Sequence, residues 1–151
     1  MGPRVFVIAV LAAAGLALAG CGEDKQETFR KEFRPLNLRI LALGRDVGQA
    51  VTGASGKSDR QIEQQFGALA KRTGSLQTDV GELDPPDDLA EDKQDLAEAM
   101  GDARTALSDI QRAAGDSDPR AARRATIQLV AASNSLRSER RNLARAAGAK
   151  Q

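Results

Sequence analysis

Cys21 is the single cysteine of a 151-residue chain that has no histidine, tryptophan or tyrosine. An ionised thiol is the strongest nucleophile such a chain can offer, yet no imidazole is available to activate it. The same lack rules out Ser–His and Cys–His pairs, and no serine stands three residues before a lysine. Carboxylates remain as acid–base groups, but no two of them stand out from a solvated surface. Catalytic residues are therefore not expected. Met100 is the only methionine besides Met1, so transition-metal and haem ligation lack ligands as well. A lone cysteine has no intramolecular disulfide partner, which turns attention to what surrounds it.

Residues 1–21 divide as a secretory leader does. Arg4 charges a short opening region, Val5–Ala19 is an uncharged apolar stretch, and small residues lead to Cys21. The apolar stretch is shorter than the roughly 20 residues that span a bilayer as a helix. Leu18-Ala19-Gly20-Cys21 resembles the lipobox of bacterial lipoproteins at all four positions. That resemblance implies a diacylglycerol on the Cys21 thiol, cleavage between Gly20 and Cys21, and a fatty acyl group such as palmitate at the new terminus. It also implies export and anchoring on the outer face of the cell membrane, or on an outer membrane where the cell has one. No cofactor is expected beyond this covalent lipid.

Three other clusters invite a chemical reading. Gly53-Ala54-Ser55-Gly56-Lys57-Ser58 is similar to a phosphate-binding loop, but Val51 occupies the position of its first glycine and no strand precedes it. Asp84, Asp87, Asp88, Glu91, Asp92 and Asp95 lack the alternating spacing that wraps calcium. Carboxylates at a helix start are favoured by the macrodipole without a metal, and no metal site is expected. Arg137, Arg140, Arg141 and Arg145 are candidates for contact with anionic lipid or wall polymer. Nucleic acid is not expected, because stacking aromatics are absent and an exported protein rarely meets it.

The net charge of +1 hides an asymmetry. Asp79–Asp118 holds thirteen acidic residues against three basic ones, whereas residues 119–151 hold eight basic residues against Glu139. The simplest account pairs the two segments as neighbouring helices with facing charges.

The elements that would carry these residues are helical. Alanine, leucine, arginine and glutamine are abundant and only four phenylalanines are present, which favours helix over sheet. Gly22–Thr28 is polar and reads as a short tether behind Cys21. Phe29, Phe33, Leu36, Ile40, Leu43, Val47 and Ala50 then alternate at spacings of four and three, predicting a helix over about 29–52. Pro35 falls inside it; either the helix kinks there or it begins near Arg34, and the register of both phenylalanines favours the kink. Ser58 and Gln61 form a capping box for a helix over 59–83, whose stripe runs Ile62, Phe66, Leu69, Thr73, Leu76, Val80 and Leu83. Gly67, Gly74 and Gly81 recur at spacing seven and suit a close helix neighbour.

Pro85-Pro86 breaks the chain, and Asp87 or Asp88 is expected to cap a third helix over 88–114. Its stripe of Leu89, Leu96, Met100, Ala103, Leu107, Ile110 and Ala114 is interrupted by Lys93. Asp118-Pro119 opens a fourth helix over 119–147 with Ala122, Leu129, Val130, Leu136 and Leu143. Thr126, Ser133 and Arg140 weaken that last stripe. Short connections between long helices imply an all-α, up-down-up-down four-helix bundle over 29–148 behind the signal peptide.

Leu83-Asp84-Pro85-Pro86-Asp87-Asp88-Leu89 resembles the L-x-P-P-x-x-L connection of small, alanine-rich helical lipoproteins of high-GC Gram-positive bacteria. The resemblance covers one loop and its flanking helices and supplies no activity. The expected function is that of a lipid-anchored binding or scaffold protein of the cell envelope, engaging a protein or a wall polymer. Two alternatives stand beside it: a structural lipoprotein that self-associates, and an extracytoplasmic carrier of a small ligand. The carrier requires an apolar cavity between helices.

Overall fold

Phe29, Phe33, Leu36, Ile40, Leu43, Val47 and Ala50 all lie buried along one face of the first helix, α1 (Cys21–Thr52). The computed structural model describes residues 21–148, with side chains from Lys25 onward. Residues 1–20, where the leader and Gly20 are expected, lie outside the described residues. Residues 22–28 lie within α1, so the segment expected as a tether is helix instead. Helix formers explain this: Glu27 accepts a 2.8 Å contact from Lys31, with the acid on the N-terminal side as i,i+4 pairs prefer. That ammonium holds the Glu27 carboxyl below its usual range.

α1 runs through Pro35 without interruption. The proline removes the donor for the Lys31 carbonyl, but Lys31 and Pro35 are both exposed, where water can take the bond. The next helix, α2 (Asp59–Gly81), starts on the expected capping box: the Gln61 amide donates to Ser58 Oγ at 3.4 Å and the Ser58 amide to Gln61 Oε1 at 2.9 Å.

α3 (Ala90–Gly115) follows a 3-10 turn over Asp87–Leu89. Neither Asp87 nor Asp88 caps it. Pro86 sets φ at −54°, the Leu89 amide bonds back to the Pro86 carbonyl, and Leu89 is driven into the core. Lys93, the polar break in the expected stripe, donates to the carbonyls of Gly81 and Leu83, both at 3.2 Å. It therefore closes the C-terminal end of α2. α4 (Pro119–Ala146) opens with Pro119 in its first turn, and the Asp118 carboxylate accepts from the amides of Arg120 and Ala121. Those bonds, that of Ala121 above all, hold the Asp118 carboxyl below its usual range.

The four helices pack with neighbours antiparallel, and the described residues contain no strand. Arg39 pairs with Asp79 at 2.7 Å and Arg72 with Asp46, joining α1 to α2. Gln77 of α2 donates to the Ala97 carbonyl of α3 at 3.0 Å. The spaced glycines of α2 receive α3 side chains, not backbone: a Cβ would lie 2.9 Å from Gln111 at Gly67 and 3.2 Å from Arg104 at Gly74, while Gly81 meets nothing.

α3 and α4 also pack along their lengths. No ion pair joins them among the described residues, contrary to the expected charge pairing. Ala106, Ala113, Ala125 and Ala132 are buried where the two helices meet, so small side chains close this seam and leave the charges on its flanks. Val130, expected in the stripe, is 54% exposed. The core is filled by Phe29, Phe33, Phe66, Leu76, Leu96, Met100 and Leu143, among others. The Phe29 and Phe33 rings stack with centroids 5.8 Å apart. No helix of the described residues is long and apolar enough to cross a membrane.

Candidate functional site

α1 and α4 touch only sparsely, unlike α2 with α3 or α3 with α4. The reason is in the side chains at their seam. Gly44 of α1 and Ser133 of α4 border this seam with little side-chain bulk to fill it. A cavity of about 240 Å³ results, partly open to solvent. It exceeds the roughly 150 Å³ of a dry cavity known to admit small apolar molecules. Ile40, Leu43 and Val47 of α1 and Leu129 and Leu136 of α4 form its walls, while Thr73, Ala103 and Leu107 reach it from the two far helices. The Thr73 hydroxyl is spent on the Leu69 carbonyl at 2.8 Å.

Three arginines border this apolar space, Arg45, Arg137 and Arg140, and no acidic side chain does. Arg45 and Arg137 are exposed at the rim. Arg140 is only 6% exposed. Its Nη1 donates to Asn37 Oδ1 at 2.7 Å, and Asn37 is itself 2% exposed. Among the described residues no carboxylate pairs with Arg140. Burial pushes the guanidinium below its usual range, and nearby Arg141 and Arg137 add to the effect. It remains charged, since arginine does not lose its proton in proteins.

Every enclosed polar side-chain atom among the described residues has a hydrogen-bond partner. The guanidinium nitrogens of Arg140 that do not bond Asn37 must therefore retain some accessible surface, and Arg140 borders the cavity. A buried cation with one neutral acceptor is a poor arrangement for stability alone. It is a good one for receiving an anion, because a guanidinium offers carboxylate or phosphate two parallel bonds.

The arginine quartet read from the sequence is thus divided. Arg137, Arg141 and Arg145 are exposed and free to meet an anionic surface, whereas Arg140 is turned inward and is not a surface contact. Its helical position, seven residues from both Ser133 and Ala147 and four from Leu136, places it on the buried face. Arg45 and Asn37 were not singled out by sequence. The signal that was present is the weakness at Ser133 and Arg140 in the fourth stripe.

Cys21 opens α1. Lys57 of the glycine-containing loop donates to Gln65, with helix, not strand, before it. The acidic residues around Asp84–Asp95 do not converge, and among the described residues no three acidic side chains are grouped as metal ligands. Asp84 instead pairs with Lys25 at 3.3 Å, tying the start of α1 to the α2–α3 loop. Compared with family models, curated proteins and solved structures, the chain matches none, so its functional reading rests on this geometry.

Proposed function

We propose that this chain is an exported, lipid-anchored binding protein of the cell envelope that holds a small molecule between α1 and α4 without transforming it. In this reading an up-down-up-down bundle stands behind a cleaved leader, Cys21 carries the lipid, and the cavity carries the ligand. The observation that supports binding is the cavity itself, an apolar space bordered by a few polar groups, which is the usual makeup of a small-molecule site. Of the readings open from the sequence, it favours the carrier over a scaffold or a self-associating structural protein. The catalytic inventory, without histidine or a free second thiol, supports binding without chemistry.

Gly44 provides the test. A Cβ there meets nothing within 4 Å, and the residue borders the cavity. Gly44→Leu places an apolar group in the space while removing a mid-helix glycine, which costs roughly 1 kcal/mol relative to better helix formers. The variant is expected to fold at least as well as the parent. An uncharged, diazirine-bearing alkyl alcohol should label α1 and α4 peptides containing Leu43 and Leu136 in the parent and fail to do so in Gly44→Leu. Equal labelling of the two proteins, or labelling spread over exposed faces, contradicts a ligand cavity.

A further inference from the structure

We propose that the molecule held between α1 and α4 is a single-chain amphiphile with an anionic head, a carboxylate or a phosphate, and that Arg140 is the residue that reads the head. The inference deepens the carrier reading and rests on it. Three observations meet at one place. The walls are apolar and reach the centre of the bundle through Ala103 and Leu107, which suits a hydrocarbon chain and excludes a ligand polar throughout. The charged groups bordering the cavity are all positive, so a cationic ligand is repelled and a neutral one leaves them unused. Arg140 is more than nine-tenths buried, without a carboxylate partner, and borders the cavity.

The geometry also orders the ligand. Arg140 lies at the level of Asn37 and borders one end of the space, while Val47 borders it some ten residues further along α1, roughly 15 Å by helical rise. A head on Arg140 therefore directs its chain past Ile40 and Leu43 toward Val47 and Leu129. Arg137 lies one turn from Arg140 at the mouth, where it can take a second oxygen of the same head. The space, about 240 Å³ and partly open to solvent, suits one hydrocarbon chain whose head stays near the mouth.

The experiment uses the whole protein extracted from membranes in a non-ionic detergent. Saturation photolabelling is read by peptide mapping with three diazirine probes of equal chain length: a fatty acid, a lysophosphatidic acid and a fatty alcohol. Either or both anionic probes should label the Leu43 and Leu136 peptides with an apparent affinity about tenfold or more above the alcohol, the factor one charge-assisted hydrogen bond brings. The stronger of the two identifies the head as a free carboxylate or a lysolipid phosphate. Arg140→Gln should remove that preference, Arg140→Lys should restore part of it, and the exposed-site variants Arg45→Gln and Arg137→Gln should lower it by about two- to fivefold. Circular dichroism and alcohol labelling of each variant confirm that the cavity persists. Equal affinity for acid, phosphate and alcohol overturns the anionic head while leaving a cavity that binds. Loss of all three probes in the parent protein overturns both readings. An undiminished preference in Arg140→Gln removes Arg140 from the site.

Discussion

Replacing Asn37 with leucine and Arg140 with methionine together is expected to raise stability by about 1–4 kcal/mol, the range seen when buried charged groups give way to apolar ones of similar size. Arg140 is 6% exposed as a residue, and the one protein acceptor of its guanidinium is a neutral amide oxygen at 2.7 Å. Its partial desolvation is therefore offset by a single protein bond, and nearby Arg141 and Arg137 oppose the charge further. Leucine and methionine would fill the same positions beside Leu36 and Leu136 without a polar group to satisfy. The check is the urea midpoint at unchanged m-value. Asn37→Ala alone should move the other way by about 1–3 kcal/mol, because it leaves the buried cation with no protein acceptor. A stable paired variant that no longer favours anionic probes would mean that Arg140 is kept for the ligand at the expense of the fold. A paired variant that loses stability would mean instead that the Asn37–Arg140 bond is chiefly a structural tie.

Cys21→Ser is expected to abolish membrane retention of the mature protein or to leave an uncleaved precursor, the largest change any single substitution should produce here. A serine hydroxyl lacks the nucleophilicity of a thiolate for thioether formation. Each buried methylene of an acyl chain contributes roughly 0.8 kcal/mol, and one chain alone anchors only marginally. On the lipoprotein reading, losing a diacylglycerol therefore removes the anchor of the processed protein. Fractionation and the mass of the N-terminal peptide provide the readout. A processed serine variant that stays with the membrane would refute lipidation. Ile40 stands roughly 28 Å along the α1 axis from Cys21, where the lipid is expected.

Periodicity made the helices readable because burial at every third or fourth position leaves a direct trace in residue type. The stripe from Phe29 to Ala50, the Ser58–Gln61 box and the Asp118-Pro119 start all appear where the residues place them. Polarity misled at Gly22–Thr28, since polar residues are equally at home on a solvated helix. It misled again at Lys93, whose long stem reaches the end of α2. The charge-pairing expectation for α3 and α4 failed because alanines bring those helices close enough that charged side chains stay on the flanks.

The cavity was legible only as a defect. Ser133 and Arg140 look like lapses in an amphipathic pattern until Gly44 is seen to share their seam, and no local rule pairs Gly44 with Ser133 across ninety residues of chain. Arg140 read as a surface arginine because its type is usually exposed. Its burial follows from the helical position it shares with Leu136 and Leu143, a case in which position outweighs residue type.

The most direct test of a ligand-carrying bundle is native mass spectrometry of the whole protein taken from its own membranes. The predicted result is one non-covalent amphiphile per chain, released with an acidic head and a single hydrocarbon chain, and absent from Gly44→Leu. A parent protein that carries only its covalent lipid, and gains no mass when an anionic single-chain amphiphile is supplied in excess, would contradict the account.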